Sequence, residues 1–229
     1  MKHVVITGAS GNLGKAAVEK FSRAGYFVIA TISPGKPLPY SIPANVATID
    51  ADLTNEKAVE SVVASIIKKY KTIDAALLLV GGYAQGGIQE TDNALLRKMF
   101  SINFESAYFI ARMLFQHMLL QESGGRIVFA GSRPAIKPIE GKNSVAYALS
   151  KSLIFNLAEL LNAEGSKRNV TSSVIVPSTI DTPANRQAMP DADFSCWVKP
   201  EEIADAMAII CAEENRSWRG TVVKVYGNG

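Results

Sequence analysis

The chain has 229 residues, enough for one domain with a deep hydrophobic core, and 48% of them are apolar. This apolar content excludes an intrinsically disordered chain. The net charge is only +3 and the basic residues are dispersed, so the sequence predicts no nucleic-acid partner.

Cysteine and histidine are both scarce. The two cysteines, Cys196 and Cys211, form no CxxC pattern, and the two histidines, His3 and His117, are too scattered to complete a zinc site. We therefore expect reduced thiols, no bound metal and a cytoplasmic location. No apolar run reaches the roughly 18 residues that a membrane span requires, so we expect no membrane partner.

The first predicted turn is rich in glycine. A β-branched run at residues 4–6 predicts a buried strand, and a helical pattern follows and closes at Gly25. Glycines between the two let backbone N–H groups approach a pyrophosphate at the positive end of the helix. The alternative is an ordinary tight turn, since a glycine triplet alone is weak evidence. The predicted cofactor contacts here are Thr7, Gly8, Ser10, Gly11, Asn12, Leu13 and Gly14.

The end of the second predicted strand, at residues 27–31, bears on cofactor choice. A carboxylate at this place holds both ribose hydroxyls of NAD and repels the phosphate of NADP. No acidic residue occurs between Tyr26 and Ile49, while Ser33 and Lys36 suit a phosphate. The sequence therefore favours NADP(H), with NAD(H) as the alternative. Lys36 lies in a proline-rich loop, where a position in solvent is the other interpretation.

The third predicted strand, at residues 46–49, runs into the start of a helix. Either Thr54 or Asn55 is expected to cap that helix. Asp52 and Leu53 are candidate cofactor contacts just before it. For Asp52 two roles are equally compatible with the sequence, namely contact with the adenine edge and ordering of the helix start.

The fourth predicted strand is a nearly continuous apolar run at residues 73–80, as expected of a central strand buried on both faces. Gly81 and Gly82 follow it, where a backbone can pass close to a ligand, and both are candidate cofactor contacts. Helical patterns follow near residues 94–102 and then up to about residue 121. Asn103 lies between them among apolar residues, a context in which asparagine is often a local backbone cap.

The segment at residues 125–151 carries the most specific chemistry. It predicts a strand at residues 126–130, a proline-rich loop and then a helix. Tyr147 and Lys151 lie four residues apart, so both side chains emerge on one helix face. The ammonium favours phenolate and is expected to lower the pKa of Tyr147 from about 10. Ser132, after the strand, can bring a hydroxyl to the same place.

Strand and helix continue to alternate to the end of the chain, with a sixth strand at residues 170–176 and a last one at residues 221–226. The polar, proline-containing segment at about residues 178–199 is long for a loop and is predicted to be a substrate cover. The candidate cofactor contacts at its start are Pro177, Thr179 and Ile180.

This alternation predicts a single α/β domain over residues 1–229. We expect a doubly wound, mostly parallel sheet with helices on both faces. Ligands are then expected at the carboxyl ends of the strands.

The chain resembles the short-chain dehydrogenase/reductase family over essentially its whole length, through the ordered motifs Thr7-Gly8-x-x-Gly11-x-x-Gly14, Asp52-Leu53-Thr54, Asn103, Ser132 and Tyr147-x-x-x-Lys151. The resemblance implies a seven-stranded Rossmann fold. It also implies hydride exchange between NAD(P)H and a carbonyl or imine group of a small-molecule substrate.

The same resemblance implies a role for each residue of the predicted site. Tyr147 would be the catalytic acid/base, and Lys151 would tune its pKa and anchor the ribose. Ser132 would hold the substrate oxygen, and Asn103 would support a proton-relay water. The apolar faces of the helices at residues 104–121 and 144–164 are candidate interfaces of a homodimer or homotetramer, although as sequence they equally fit the core.

Three departures from the family pattern point to one branch. The chain has Asn12 where many members have glycine, Leu78-Leu79-Val80-Gly81 in place of Asn-Asn-Ala-Gly, and Pro177-Ser178 in place of Pro-Gly. Dihydropteridine reductases depart from the family pattern at the same three points in a similar way, and the segment at residues 180–197 looks like their substrate-side loop.

Other features speak against that branch, which lacks the active-site Ser and Asn and carries an acid after the second strand. The leading hypothesis is therefore an NAD(P)H-dependent oxidoreductase of a small carbonyl or alcohol. Pterin reduction is the alternative, and a redox-silent NADP-binding sensor is a third class.

Overall fold

The computed structural model describes residues 1–228. Within them the strands are β1 (His3–Ile6), β2 (Phe27–Ile32), β3 (Val46–Asp50), β4 (Ala75–Leu78), β5 (Gly125–Ala130), β6 (Val170–Pro177) and β7 (Val222–Val225). The α-helices are α1 (Asn12–Arg23), α2 (Glu56–Tyr70), α3 (Asn93–Phe100), α4 (Ser106–Leu120), α5 (Pro138–Gly141), α6 (Val145–Gly165), α7 (Pro183–Ala188) and α8 (Pro200–Cys211).

The seven strands form one sheet in the order β3-β2-β1-β4-β5-β6-β7, and every strand pair in it is parallel. The predicted doubly wound, seven-stranded sheet is confirmed. The strand order reverses between β1 and β4, where the chain crosses from one half of the sheet to the other. The carboxyl ends of these two strands therefore flank the crevice in which such folds bind ligands.

The core consists of two apolar layers, one on each face of the sheet. Successive strand residues point to opposite faces, so Val5 packs into one layer while Val4 and Ile6 pack into the other. The first layer is completed by α2, α4 and α6, and the second by α1 and α8. The predicted helices on both faces are confirmed.

The connection between β2 and β3, residues 33–45, contains no helix. It folds back over the glycine-rich turn, where the Tyr40 hydroxyl donates a 2.9 Å hydrogen bond to the carbonyl oxygen of Ala9. Asn45 anchors its far end, because Nδ2 donates to the carbonyl oxygen of Tyr26 at 2.8 Å.

Two segments differ from the sequence prediction. The helices predicted on either side of residue 103 are joined, because a π-helical turn at Ser101–Glu105 links α3 directly to α4. The predicted loop at residues 178–199 contains α7 and a 3-10 turn at Phe194–Cys196. Its ends are held together, since the Asp181 N–H donates to Val198 and the Val198 N–H donates to Thr179.

None of the helices within residues 1–228 combines the length and the apolar character needed to cross a bilayer.

Candidate active site

The glycine-rich turn is shaped for the close approach of a ligand to the backbone. Gly8 has φ +67°, which favours glycine, and a Cβ on Gly14 would clash with the carbonyl oxygen of Gly8. Gly11 precedes the first turn of α1 and offers it no side-chain cap. The first N–H groups of α1 are thus available to an anion, as a pyrophosphate requires.

The other predicted residues of this turn have different surroundings. Thr7 is buried, and its hydroxyl oxygen accepts a 2.8 Å hydrogen bond from the Leu79 N–H, so its side chain joins the ends of β1 and β4. Leu13 packs against the apolar layer of α1 and α8. Ser10 is partly exposed and Asn12 is exposed, so both remain accessible to a ligand.

Ser33 follows β2, and Asp52 lies just after β3. These two strands lie on one side of β1 in the sheet, and β4 and β5 lie on its other side. Ser33 and Lys36 are exposed. Asp52 Oδ1 accepts hydrogen bonds from the N–H of Thr54 at 3.0 Å and from its hydroxyl at 2.6 Å, which lowers the pKa of Asp52. Asp52 therefore orders the approach to α2, and of the two predicted caps Asn55 is the one observed. Leu53 beside it is buried.

Asn103 lies in the π-helical turn and is fully buried. Its Oδ1 accepts a 2.9 Å hydrogen bond from the N–H of Gly82, and its Nδ2 donates to the carbonyl oxygen of Gly82 at 3.0 Å. The same Nδ2 is 3.1 Å from the hydroxyl of Ser150, which donates to the carbonyl oxygen of Tyr147 at 2.8 Å. Asn103 therefore joins the loop after β4 to the turn of α6 that carries Tyr147, and the interpretation as a local cap is wrong.

Gly81 shows how closely these groups converge. A Cβ added there would lie 2.8 Å from Oδ1 of Asn103 and 3.1 Å from Nζ of Lys151. Contacts this short are not tolerated at a rigid, buried amide, so only glycine leaves this backbone room beside both side chains. The structure thus brings Gly81, Gly82, Asn103 and Lys151 together.

Ser132 follows β5 and is 4% exposed. Its Oγ has no hydrogen-bond partner among the described residues. A buried hydroxyl without a partner costs free energy, and such groups are typically paired with a ligand or water. The Ser132 hydroxyl is near enough to the Tyr147 phenol to lower the pKa of Tyr147, although the two groups do not reach hydrogen-bonding geometry.

The pKa of Tyr147 is nevertheless raised from 10.0, because burial of the phenol outweighs the effect of Ser132, and Tyr83 raises the pKa further. Lys151 is not among the groups that shift this pKa, and its ammonium donates a 2.7 Å hydrogen bond to the carbonyl oxygen of Ala130. The prediction that Lys151 lowers the pKa of Tyr147 is therefore wrong, and the phenol is held protonated. Burial also lowers the pKa of Lys151 to about 8.

The predicted residues after β6 lie at the same carboxyl edge of the sheet. Pro177 is the last residue of β6 and is buried. The carbonyl oxygen of Thr179 accepts the N–H of Val198, and Ile180 forms a bridge with Val198. Thr179 and Ile180 thus form the base of the segment predicted as a cover.

Sequence reasoning missed three neighbours of the site. Tyr83 packs its ring against that of Tyr147, Ser150 carries the link to Asn103, and Tyr40 covers the glycine-rich turn. An aromatic residue within Gly81-Gly82-Tyr83-Ala84-Gln85-Gly86-Gly87 was the available signal for Tyr83. The sequence contained no such signal for Tyr40 or Ser150, because their roles depend on contacts between distant segments.

The family model for short chain dehydrogenases matches residues 2–193, so the chain belongs to that family. It is an NAD(P)-dependent oxidoreductase, since the family uses a nicotinamide cofactor. The free helix terminus and the glycine-lined turn at residues 8–14 fit such a dinucleotide.

Relatives of similar length cover nearly the whole chain. The oxidoreductase YmfI of Bacillus subtilis is 26% identical, over 99% of this chain and 98% of its own. A dihydropteridine reductase of Dictyostelium discoideum is 27% identical, over 97% of this chain and 94% of its own. The solved aldohexose dehydrogenase of Thermoplasma acidophilum has a TM-score of 0.85 and 26% identity, over 99% of this chain and 93% of that structure.

Proposed function

We propose that this protein reduces a small carbonyl compound, or oxidises the corresponding alcohol, with NADP(H) as its cofactor. The observation that carries the proposal is the buried, unpartnered hydroxyl of Ser132 beside the protonated phenol of Tyr147. Two neighbouring hydroxyl donors suit an oxygen that gains negative charge during the reaction.

Each residue then has a stated task. Tyr147 donates its phenolic proton to the oxygen of the substrate, and Ser132 donates a hydrogen bond to that oxygen. General acid catalysis of this kind contributes typically about 10²–10⁴-fold. Lys151 holds the end of β5 through Ala130, and Asn103 holds Gly82 and the Tyr147 turn. A nicotinamide cofactor, when bound, would supply the hydride exchange.

In reduction the oxygen accepts its proton from Tyr147, and in oxidation Tyr147 takes the proton back, so the same residues serve both directions.

The residues after β2 favour NADP(H) as the cofactor. No acidic side chain lies between residues 26 and 49, where a carboxylate would repel a ribose phosphate. Ser33 and Lys36 are exposed there, and a phosphate would find one hydroxyl donor and one positive charge.

The segment at residues 178–199 is proposed to cover the substrate. Its two ends meet at Thr179, Asp181 and Val198. Inside it, Arg186 forms an ion pair with Asp181 at 2.6 Å and stacks on Phe194 at 4.6 Å. The segment is thus a folded unit on a narrow base, as expected of a cover.

Pterin reduction is the second candidate. It is favoured by the whole-chain similarity to the Dictyostelium dihydropteridine reductase and by the segment at residues 180–197. Ser132 weighs against it, because by the family resemblance that branch works without a serine at this place.

The faces of α4 and α6 are proposed as a homodimer or homotetramer interface. Exposed apolar side chains lie on them, namely Tyr108, Leu149 and Leu160, with 37%, 49% and 69% of their surface in solvent. Light scattering after size-exclusion chromatography tests this, and a monomer at micromolar concentration would contradict it.

One assay separates the two candidate functions. The protein is incubated with a panel of ketones and aldehydes or with quinonoid dihydropterin, each with NADPH and with NADH, and loss of reduced nicotinamide is followed. We expect turnover of carbonyls with NADPH and little with the dihydropterin. Turnover of the dihydropterin alone would replace the first candidate by the second.

A further inference from the structure

Tyr83 is an aromatic residue that the proposed reaction does not use. Its ring lies 5.1 Å from that of Tyr147, centroid to centroid, at an interplanar angle of 74°. Even so, 61% of the Tyr83 surface is exposed to solvent. An exposed aromatic face beside the proposed proton donor is open to contact with a bound molecule.

The backbone on both sides of Tyr83 is fixed. On one side, both polar backbone groups of Gly82 are hydrogen-bonded to the buried amide of Asn103. On the other side, the Gly86 N–H donates to Asn143 and its carbonyl oxygen accepts the N–H of Val145 at the start of α6. The chain between these two attachments consists only of Tyr83, Ala84 and Gln85. The backbone of Tyr83 is therefore held from both sides, and its ring contacts Tyr147 although most of its surface is exposed.

We propose that Tyr83 determines substrate specificity, as an aromatic wall against which a flat, conjugated ring of the substrate lies while its carbonyl or imine group meets Tyr147 and Ser132. The inference rests on the proposed function and adds the substrate class to it. A flat ring removes the exposed face of Tyr83 from water and gains an aromatic contact, whereas a saturated ring of the same size presents a thicker, poorly matched surface.

The competing explanation is that Tyr83 only holds Tyr147 in place. The two explanations differ in one measurable respect. If Tyr83 is a wall for flat rings, its replacement lowers kcat/KM for flat substrates selectively. If Tyr83 only supports Tyr147, its replacement lowers kcat/KM for all substrates equally.

The test compares wild type with Tyr83→Leu and Tyr83→Phe on a matched pair of ketones, acetophenone and cyclohexyl methyl ketone. We expect Tyr83→Leu to lower kcat/KM for acetophenone about threefold to tenfold, mainly through KM. The change for the saturated ketone is expected to stay below about twofold, and Tyr83→Phe should keep the wild-type preference. Trp218→Leu is the control, because Trp218 is an aromatic residue with 42% exposure that precedes the edge strand β7, at the amino end of the parallel strands, whereas Tyr83 follows the central strand β4 at their carboxyl end.

A binding measurement keeps the inference separate from the reaction itself. Calorimetry with saturating NADP(H) compares benzamide with cyclohexanecarboxamide, which are flat and saturated and carry no ketone. Wild type should prefer benzamide, and Tyr83→Leu should lose that preference. If the preference exists but no carbonyl is turned over, the proposed reaction fails while the role of Tyr83 stands. Equal binding of the two amides by wild type, or equal losses on both ketones, would overturn the role of Tyr83.

Discussion

The ammonium of Lys151 donates a 2.7 Å hydrogen bond to the carbonyl oxygen of Ala130, the last residue of β5. This bond ties the first part of α6 to the strand end that precedes Ser132. Lys151 is 5% exposed, and burial lowers its pKa from 10.5 to about 8. The charged lysine therefore destabilises the folded state while it holds Tyr147 and Ser132 on neighbouring elements.

The first prediction concerns the pH dependence of stability. Because the pKa of Lys151 is lowered in the folded state, the unfolded chain binds more protons than the folded chain between about pH 8 and pH 10.5. The free-energy cost of burying the ammonium therefore decreases as the pH rises through that range, and the free energy of unfolding increases. Lys151→Met is expected to raise the free energy of unfolding at neutral pH by on the order of 1–3 kcal/mol, after the lost hydrogen bond is counted.

Urea unfolding of wild type and Lys151→Met at several pH values measures this. The difference in free energy of unfolding between Lys151→Met and wild type should shrink above about pH 8. Lys167→Met, at an exposed position in the turn after α6, is the control and should show no such trend. A stability difference that does not change with pH would contradict the assignment of a buried charge to Lys151.

Ser132→Ala tests the proposed hydrogen bond to the substrate oxygen. Loss of one preorganised donor is expected to lower kcat by about 10²–10³-fold. Removal of the hydroxyl also removes an influence that lowers the pKa of Tyr147. In the alcohol-oxidising direction, which needs the phenolate, the acidic limb of the pH–rate profile should therefore move to higher pH.

Steady-state rates over a pH series check both effects, and the affinity for NADPH should stay unchanged. Ser152→Ala removes a hydroxyl of α6 that only donates to the backbone of Leu149, and it serves as the control. Wild-type rates for Ser132→Ala would mean that the unpartnered hydroxyl has no part in the reaction.

Asn103→Ala tests the connection between the loop after β4 and α6. The change leaves the N–H and carbonyl oxygen of Gly82 without their partners, so we expect the free energy of unfolding to fall by about 2–4 kcal/mol. Denaturant unfolding measures the loss. Asn156→Ala, at an exposed position of α6, is expected to change stability by less than about 0.5 kcal/mol. Equal effects of the two variants would contradict the structural role of Asn103.

Ser33→Asp tests the cofactor preference. A carboxylate after β2 repels a ribose phosphate and binds ribose hydroxyls, so the ratio of kcat/KM for NADPH to that for NADH should fall at least about tenfold. Ser41→Asp places the same charge elsewhere in the exposed loop at residues 33–45 and should leave the ratio nearly unchanged. A similar fall in both variants would point to the net charge of the loop instead of contact at Ser33.

The sequence was sufficient for the fold because its signals are local. Strand runs, helix spacing and glycine turns predicted the doubly wound parallel sheet, and the order of motifs indicated the family and, through it, the seven-stranded fold. The contacts that shape the site are not local. Asn103 bonds to Gly82 and Ser150, which lie 21 and 47 residues away. The local context of an asparagine between apolar residues suggested a cap, and the family resemblance marked it as a site residue without indicating these partners.

The pKa of Tyr147 illustrates the same limit. Spacing placed Lys151 on the correct helix face, but it contained no information on burial or on the Ala130 carbonyl oxygen that receives the ammonium. Burial of the phenol, which arises from packing between distant segments, reverses the expected direction of the shift.

The central claim is that the Tyr147 phenol exchanges the proton with the substrate, and Tyr147→Phe tests it most directly. The variant keeps the ring and its contact with Tyr83 but lacks the hydroxyl. We expect kcat to fall by about 10²–10⁴-fold while the Kd for NADPH stays within about twofold of wild type. Tyr70→Phe, at the last residue of α2, removes a hydroxyl that has no hydrogen-bond partner among the described residues and should behave as wild type. Substantial turnover by Tyr147→Phe with normal NADPH binding would contradict the assignment.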